Sequence, residues 1–361
     1  MNQLLYKPDW PEARQRLTAW WNGQKLDRCL MCVWAPRDDA KDLKEPPRPA
    51  TVEERWTSFE YLDALNEFEH RSTFFGGEAV PVWHAGYPGH VAIPTFYGCP
   101  HQLDWRTGWH EPILTGQKLD VSGLRLDRAC RWWTWGDKLL NHEREVSAGK
   151  SIPAMGAIFG PGDTLVQLRG AERLLYDLMD DPAAVREAEL KLMDDWIEVF
   201  DHQTGILTRD GGPCTNWFSL WAPGKCYPSQ CDASYGISPE SFRECFIPAI
   251  RKQTDYLDYS VYHVDGVGAF HLVDELAKVD GIRALQILPG AGKPSPLAYI
   301  DVLRRVQRLG KGLHISIPAE EVETALDLLS SRGLCICTSA KTQKQARELI
   351  ELAGRKSVDR G

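Results

Sequence analysis

His263-Val264-Asp265 closes a short apolar run that begins at Ser260, and Gly266 and Gly268 follow it. Side chains alternate along a strand, so the imidazole and the carboxylate share a face, and the glycines let a ligand come close. Such a pair can ligate a metal ion or work as an acid/base couple. The plain alternative for a lone His after an apolar run is a hydrogen-bonded core residue. Cys335 and Cys337 also share a strand face. Both can be small buried hydrophobes, and Cys337, nearer the carboxyl end, is the better ligand candidate. Glu78, His84 and His90 lie near the end of an earlier run and are further candidate ligands. Asp163-Thr164, after Gly160-Pro161-Gly162, either meets an anion at a helix N-terminus or caps that helix. The remaining glycine of a dinucleotide fingerprint is missing there, which argues against NAD. Gln286 sits within a strand, facing into the fold or out.

Aromatic residues supply candidate walls. Of the 14 tryptophans, Trp34, Trp83, Trp217 and Trp221 fall where strands stop, as the wall of a pocket for a flat or apolar ligand would. Arg37 and Tyr235 join them as candidate substrate-binding residues. The ten cysteines are scattered along the chain, which suits reduced thiols better than a disulfide framework. Cys29-x-x-Cys32 stands alone in its spacing and inside an apolar run, so both thiols are expected to be buried and structural.

The elements that must position these residues alternate. Apolar runs near 30, 80, 155, 217, 262, 286, 315 and 336 read as eight strands, with helical patterns between most of them. The fold class expected is α/β, a single (β/α)8 TIM barrel over 1–361 with its site at the carboxyl ends of the strands; an open doubly wound sheet is the alternative. Residues 1–24 hold an N-terminal helix, Trp10 to Trp21, ended by Asn22-Gly23. Thr51 to Phe68 reads as one helix. Residues 91–150 read as an irregular insertion, a lid or wall, and 151–353 as regular βα units.

A net charge of −8 argues against a nucleic-acid surface, which needs a basic stripe. Met1 to Trp10 lacks the charged start and apolar stretch of a signal peptide. No run approaches the roughly 18 apolar residues of a membrane span. The expectation is a cytoplasmic protein that binds neither nucleic acid nor membrane, with a small molecule as its principal partner and a homodimer as a candidate assembly.

Several stretches together resemble the uroporphyrinogen decarboxylase superfamily, which includes the haem-pathway decarboxylase and the corrinoid-dependent methyltransferases. They are Gly160-Pro161-Gly162-Asp163-Thr164-Leu165 with Asp181-Pro182-Ala183, Cys231-Asp232-Ala233 with Ser238-Pro239-Glu240-Ser241-Phe242, Phe246-Ile247-Pro248, Tyr262-His263-Val264-Asp265-Gly266 and the closing Lys341 to Leu352 segment. Val264-Asp265-Gly266 and Gln286-x-x-Pro289-Gly290-Ala291-Gly292 look most like a branch labelled trimethylamine-corrinoid-protein-like. The decarboxylases carry an arginine-rich stretch after the first strand; here that place holds Trp34-Ala35-Pro36-Arg37-Asp38-Asp39, with one Arg and two acids. The methyltransferases hold zinc with His-x-Cys and a later Cys. His263 matches the His, Asp265 stands where the first Cys would be, and Ala340 falls at the second.

The resemblance implies a barrel enzyme that moves a methyl group between a small methylated substrate and a corrinoid protein or a thiol. It implies one zinc ion on His263, Asp265 and Cys337, with His263 and Asp265 the catalytic pair and the corrinoid carried by a partner protein. The runner-up is a lyase, a metal-free decarboxylase in which Arg37 holds a substrate carboxylate; the third reading is a barrel that binds a ligand without turning it over.

Overall fold

The computed structural model describes residues 3–360. The eight expected runs all contain strands, and four further strands stand beside them: β1 (Leu30–Pro36), β2 (Thr73–Gly77), β3 (Val82–Trp83), β4 (His101–Leu103), β5 (Gly108–His110), β6 (Ile152–Met155), β7 (Thr215–Asn216), β8 (Ser229–Gln230), β9 (Val261–Asp265), β10 (Ala284–Leu288), β11 (Gly312–Ser316) and β12 (Leu334–Ser339). Seven of them form a sheet in the order β2-β1-β12-β11-β10-β9-β8, and three form a second in the order β3-β6-β7. The pairs in both are parallel except β1 with β2. β4 and β5 make a separate antiparallel hairpin. A hydrogen bond from Asn216 Nδ2 on β7 to Cys226 O, just before β8, links the second sheet to the margin of the first at 3.1 Å, while Glu78 N, just past β2, bonds Met31 O of β1 at 2.9 Å within the first.

Three expectations are corrected. The run near 80 is two strands, β2 turning back antiparallel on β1 before the chain enters β3. The span 51–68 is two helices, Val52–Thr57 and Phe59–Ser72. Ser58 stops the first in an extended conformation and accepts from Tyr61 N to start the second, because a Ser side chain satisfies a free helical N–H better as a cap than within a turn. The 91–150 segment is not irregular throughout. It contains the hairpin and a 17-residue helix, Arg131–Ser147, which buries Trp133, Gly136, Leu139, Leu140 and Glu143.

Two packing layers follow from strand alternation. One face of the sheets meets the helices in a large apolar core around Leu165, Trp196, Phe200 and Phe246. The other face gathers Leu30, Cys32, Val82, Ile152, Ala154, Val261, Ala284, Cys335 and Cys337 against Trp10, Leu17, Trp20 and Trp21 of the first helix. Leu30, Val261 and Ala284 are the first residues of their strands, so that helix covers the amino ends. Leu17 is fully buried, and Leu17→Ala would cost roughly 2–5 kcal/mol. The carboxyl ends remain for chemistry. Among the described residues, no helix is long and apolar enough to cross a membrane.

Candidate active site

Parallel register decides which side chains meet. Gln230 aligns with His263, His263 with Gln286, Gln286 with His314, and His314 with Cys335; across the next ladder Cys337 aligns with Cys32 and Ser339 with Trp34. Aligned residues on parallel strands share a face, so one inner surface carries these polar side chains on neighbouring strands.

At the carboxyl end of that surface, donor atoms of Asp232, His263 and Asp265 lie within 4.8 Å of one another. β9 supplies two of them by alternation, and the turn after β8 supplies Asp232. Gly266 makes the turn possible: its φ is +81°, and a Cβ there would come within 2.8 Å of the Tyr235 ring. His263 Nδ1 is hydrogen-bonded to Gln286 Oε1. A carbonyl oxygen accepts, so Nδ1 carries the proton and Nε2 keeps its lone pair for a ligand. Asp265 Oδ1 is buried without a hydrogen-bond partner, which is costly for a polar atom unless something else meets it. Trp217 stands edge-on to the His263 ring at 5.6 Å. Phe159 and Ser219, in the loops after β6 and β7, hold left-handed φ values of 65° and 58°, a strained conformation that clusters at functional sites.

Asp163 underpins this mouth. It belongs to the first turn of the helix Pro161–Arg169, whose N-cap is Gly160, so it neither caps that helix nor stands free for an anion. Its Oδ1 accepts from Asp232 N and its Oδ2 from Gln230 Nε2, both at 2.7 Å. Burial, then the nearby Asp232, raises the Asp163 carboxyl. Withdrawal from water and then Asp265 raise Asp232. Three carboxyls crowd one mouth, and a bound cation would relieve the repulsion.

Cys337 is not beside His263 but in a second group. Its Sγ lies with those of Cys32 and Cys335 and 3.2 Å from His314 Nε2. Contacts from Cys32 and Cys335 draw the Cys337 thiol down, with His314 adding to the effect, while the Cys335 thiol is pushed up by its contacts with Cys32 and Cys337 and by burial.

The other candidates divide. Trp217 and Tyr235 border the mouth, and Trp34 packs on the cysteine side of the inner face. Trp221 lies at the amino end, edge-on to Trp10 at 5.1 Å, with its carbonyl accepting from Trp21 Nε1. Trp83 points away from the inner face, buried with Leu62, Ala85 and Leu139. Arg37 stands just past the carboxyl end of β1, but its guanidinium is bonded to Asp39 at 2.7 and 2.9 Å. Glu78 is buried and structural: it accepts from Arg16, from both Arg28 Nη atoms and from Met31 N. His84 is half-buried against the Tyr87 ring, and His90 is buried between Trp56 and Trp132. Asp232 and His314 are ligand-capable residues that sequence reasoning passed over, and Cys32 is one that it set aside as structural. Asp232 stood inside a motif used only for resemblance, and Cys32 inside an apolar run.

No protein-family model matches the chain, and no curated protein sequence matches it. Among solved structures, a methyltransferase from Methanosarcina mazei superposes with a TM-score of 0.60, covering 95% of this chain and 98% of its own, at 13% sequence identity. At that identity the likeness establishes a shared α/β fold, which by itself does not carry function across.

Proposed function

We propose that the chain is a methyltransferase of the uroporphyrinogen decarboxylase superfamily, built as a closed (β/α)8 barrel. In this reading it moves a methyl group between a small methylated compound and a corrinoid protein or a thiol. The observation that carries it is the convergence of Asp232, His263 and Asp265 at the strand ends, with Asp265 Oδ1 buried and unpartnered. The fold shared with a methyltransferase supports the reaction class, and the Asn216–Cys226 hydrogen bond between β7 and the chain before β8 supports closure of the barrel at that margin.

The donor set fits a zinc ion: one nitrogen and two carboxylates, with Asp232 on the solvent side. Catalytic zinc takes such ligands and keeps one position open. Bound there, zinc would supply a Lewis acid that lowers the pKa of a thiol or polarises the heteroatom carrying the methyl group. The chain's own residues do the rest. Gln286 fixes the His263 ring and tautomer, Asp163 holds the backbone of Asp232, and Trp217 walls the site beside the imidazole. Decarboxylation gains less support, because Asp39 already occupies the Arg37 guanidinium.

The test combines metal analysis with a transfer assay, using small methylated compounds as donors and free cob(I)alamin or a thiol as acceptor. The expected result is methylation of the acceptor that stops when the protein is stripped with chelator and returns with zinc. Turnover at full rate in the stripped protein would sink the zinc role, and release of carbon dioxide from a carboxylated compound without methyl transfer would sink the reaction class.

A further inference from the structure

The second donor group has a different chemistry from the mouth. The Sγ atoms of Cys32, Cys335 and Cys337 lie within 4.8 Å of one another, and His314 Nε2 is 3.2 Å from the last of them. Register explains the convergence: Cys337 aligns with Cys32 across the β1–β12 ladder, and His314 with Cys335 across β11–β12. The residues are 4%, 0%, 9% and 4% exposed, in the order Cys32, Cys335, Cys337, His314. Their surroundings are apolar, with Leu30, Val82, Ile152 and Ala154 in the same cluster.

Isolated thiols sit comfortably in such a place as small hydrophobes. An imidazole does not, and His314 Nδ1 is buried with no partner, so the ring is held by Cys337 and by its packing on Phe218 at 4.7 Å. Three mutually close thiols, with an imidazole against one of them and all four out of contact with water, supply the donor types of a closed, four-coordinate zinc site.

We propose that Cys32, Cys335 and Cys337, with His314 as the fourth donor, form a second zinc site, separate from the mouth and structural in purpose. The site ties the first parallel strand to the last. Zinc binds the thiolates, so occupation releases the thiol protons to solvent. It does not depend on the methyl-transfer reading, since none of its ligands belongs to the mouth group.

Cobalt distinguishes the two sites, because thiolate ligands give intense sulfur-to-cobalt charge-transfer absorption in the near ultraviolet and nitrogen and oxygen ligands do not. The full chain, kept reduced and stripped of metal, is titrated with Co²⁺. The expected result is a charge-transfer band that saturates at one cobalt per chain, survives in His263→Ala, is lost in Cys335→Ser and is displaced by zinc. Absence of the band from the reduced wild-type protein overturns the proposal, as does its loss in His263→Ala. A thiol count on the denatured, unreduced protein two short of its ten cysteines, with the missing pair mapped to this group, overturns it in favour of a disulfide. Should Cys335→Ser fail to fold, the wild-type titration and the thiol count decide alone.

Discussion

Two groups of histidines in this molecule are treated in opposite ways. On the inner face, His263 and His314 are each tied to a side chain of a neighbouring strand, Gln286 and Cys337, and each lies beside further metal-ligating groups. Around β3 to β5, His84, His90, His101 and His110 are packed into aromatic surroundings. His90 has no partner on either ring nitrogen and stands edge-on to Trp132 at 4.9 Å, while His101 and His110 lie with ring centroids 4.5 Å apart. Burial pushes His84 down to about 4, His90 to about 3 and His110 to about 4. The second region uses imidazole as a neutral aromatic plate. The first sets it beside other ligand-capable groups, with the His263 tautomer held by the Gln286 carbonyl. A histidine therefore points to chemistry here through what converges on it, and burial alone does not.

The sharpest way to break that contrast is to delete the converging groups. His263→Ala or Asp265→Ala should lower methyl transfer by 10²- to 10⁴-fold, on the order of what a positioned catalytic group contributes, while His84→Ala should leave the rate per folded molecule unchanged; steady-state rates on both variants check it. Next in size is Gln286→Leu, which frees the His263 ring without removing a ligand. A loss of roughly 10- to 100-fold in zinc affinity or rate is expected for such a supporting partner, read by competition with a chromogenic chelator, and an unchanged affinity would leave Gln286 as mere packing.

The buried histidines predict a pH effect of known sign. Their folded pKa values lie below the unfolded value near 6.5, so their neutral burial costs nothing above that pH, and stability is lost as pH falls from about 6.5 towards 4. Each should cost about 2 kcal/mol at pH 5, at 1.36 kcal/mol per unit. Because neither nitrogen of His90 is hydrogen-bonded, His90→Phe should remove its share and leave stability at pH 7.5 nearly unchanged; urea melts at the two pH values measure both. A fall in stability at pH 7.5 as large as the gain at pH 5 would show that the ring nitrogens matter. The smallest effect belongs to Arg37→Ala. An exposed ion pair such as Arg37–Asp39 is worth ~0–1 kcal/mol, and transfer activity should stay within twofold of wild type. A large rise in KM would instead return Arg37 to the substrate.

Much of this was legible in the residues. Unbroken apolar runs at 29–34 and 334–337, and the run 284–288 interrupted only by Gln286, marked strands, and the alternation of His263 and Asp265 placed those two on one face. Asp232 was hidden because it reaches the mouth from another strand, through the β8–β9 ladder. The cysteine group was hidden for the same reason. Cys32 read as a buried structural thiol and Cys335 with Cys337 as a pair on one strand face, and it takes the pairing of β1 with β12 to bring the three within reach. The helix Arg131–Ser147 was obscured by its own composition: Trp132, Trp133 and Trp135 blur the apolar period, and a carboxylate, Glu143, occupies its buried side. Short strands such as β4, β5 and β8 carry too few residues for any period to show.

The place of β1 between β2 and β12 has a consequence for how the protein is made. Its antiparallel neighbour is synthesised within a few dozen residues, but its parallel neighbour comes about 300 residues later, a separation that slows folding. Until Leu334 to Ser339 leaves the ribosome, one side of an apolar strand has no backbone partner. Unpaired edges of that kind recruit other chains. Nascent chains stalled before β12 should therefore depend on chaperones far more than chains that include it, and β12 acts as the latch that ends that dependence.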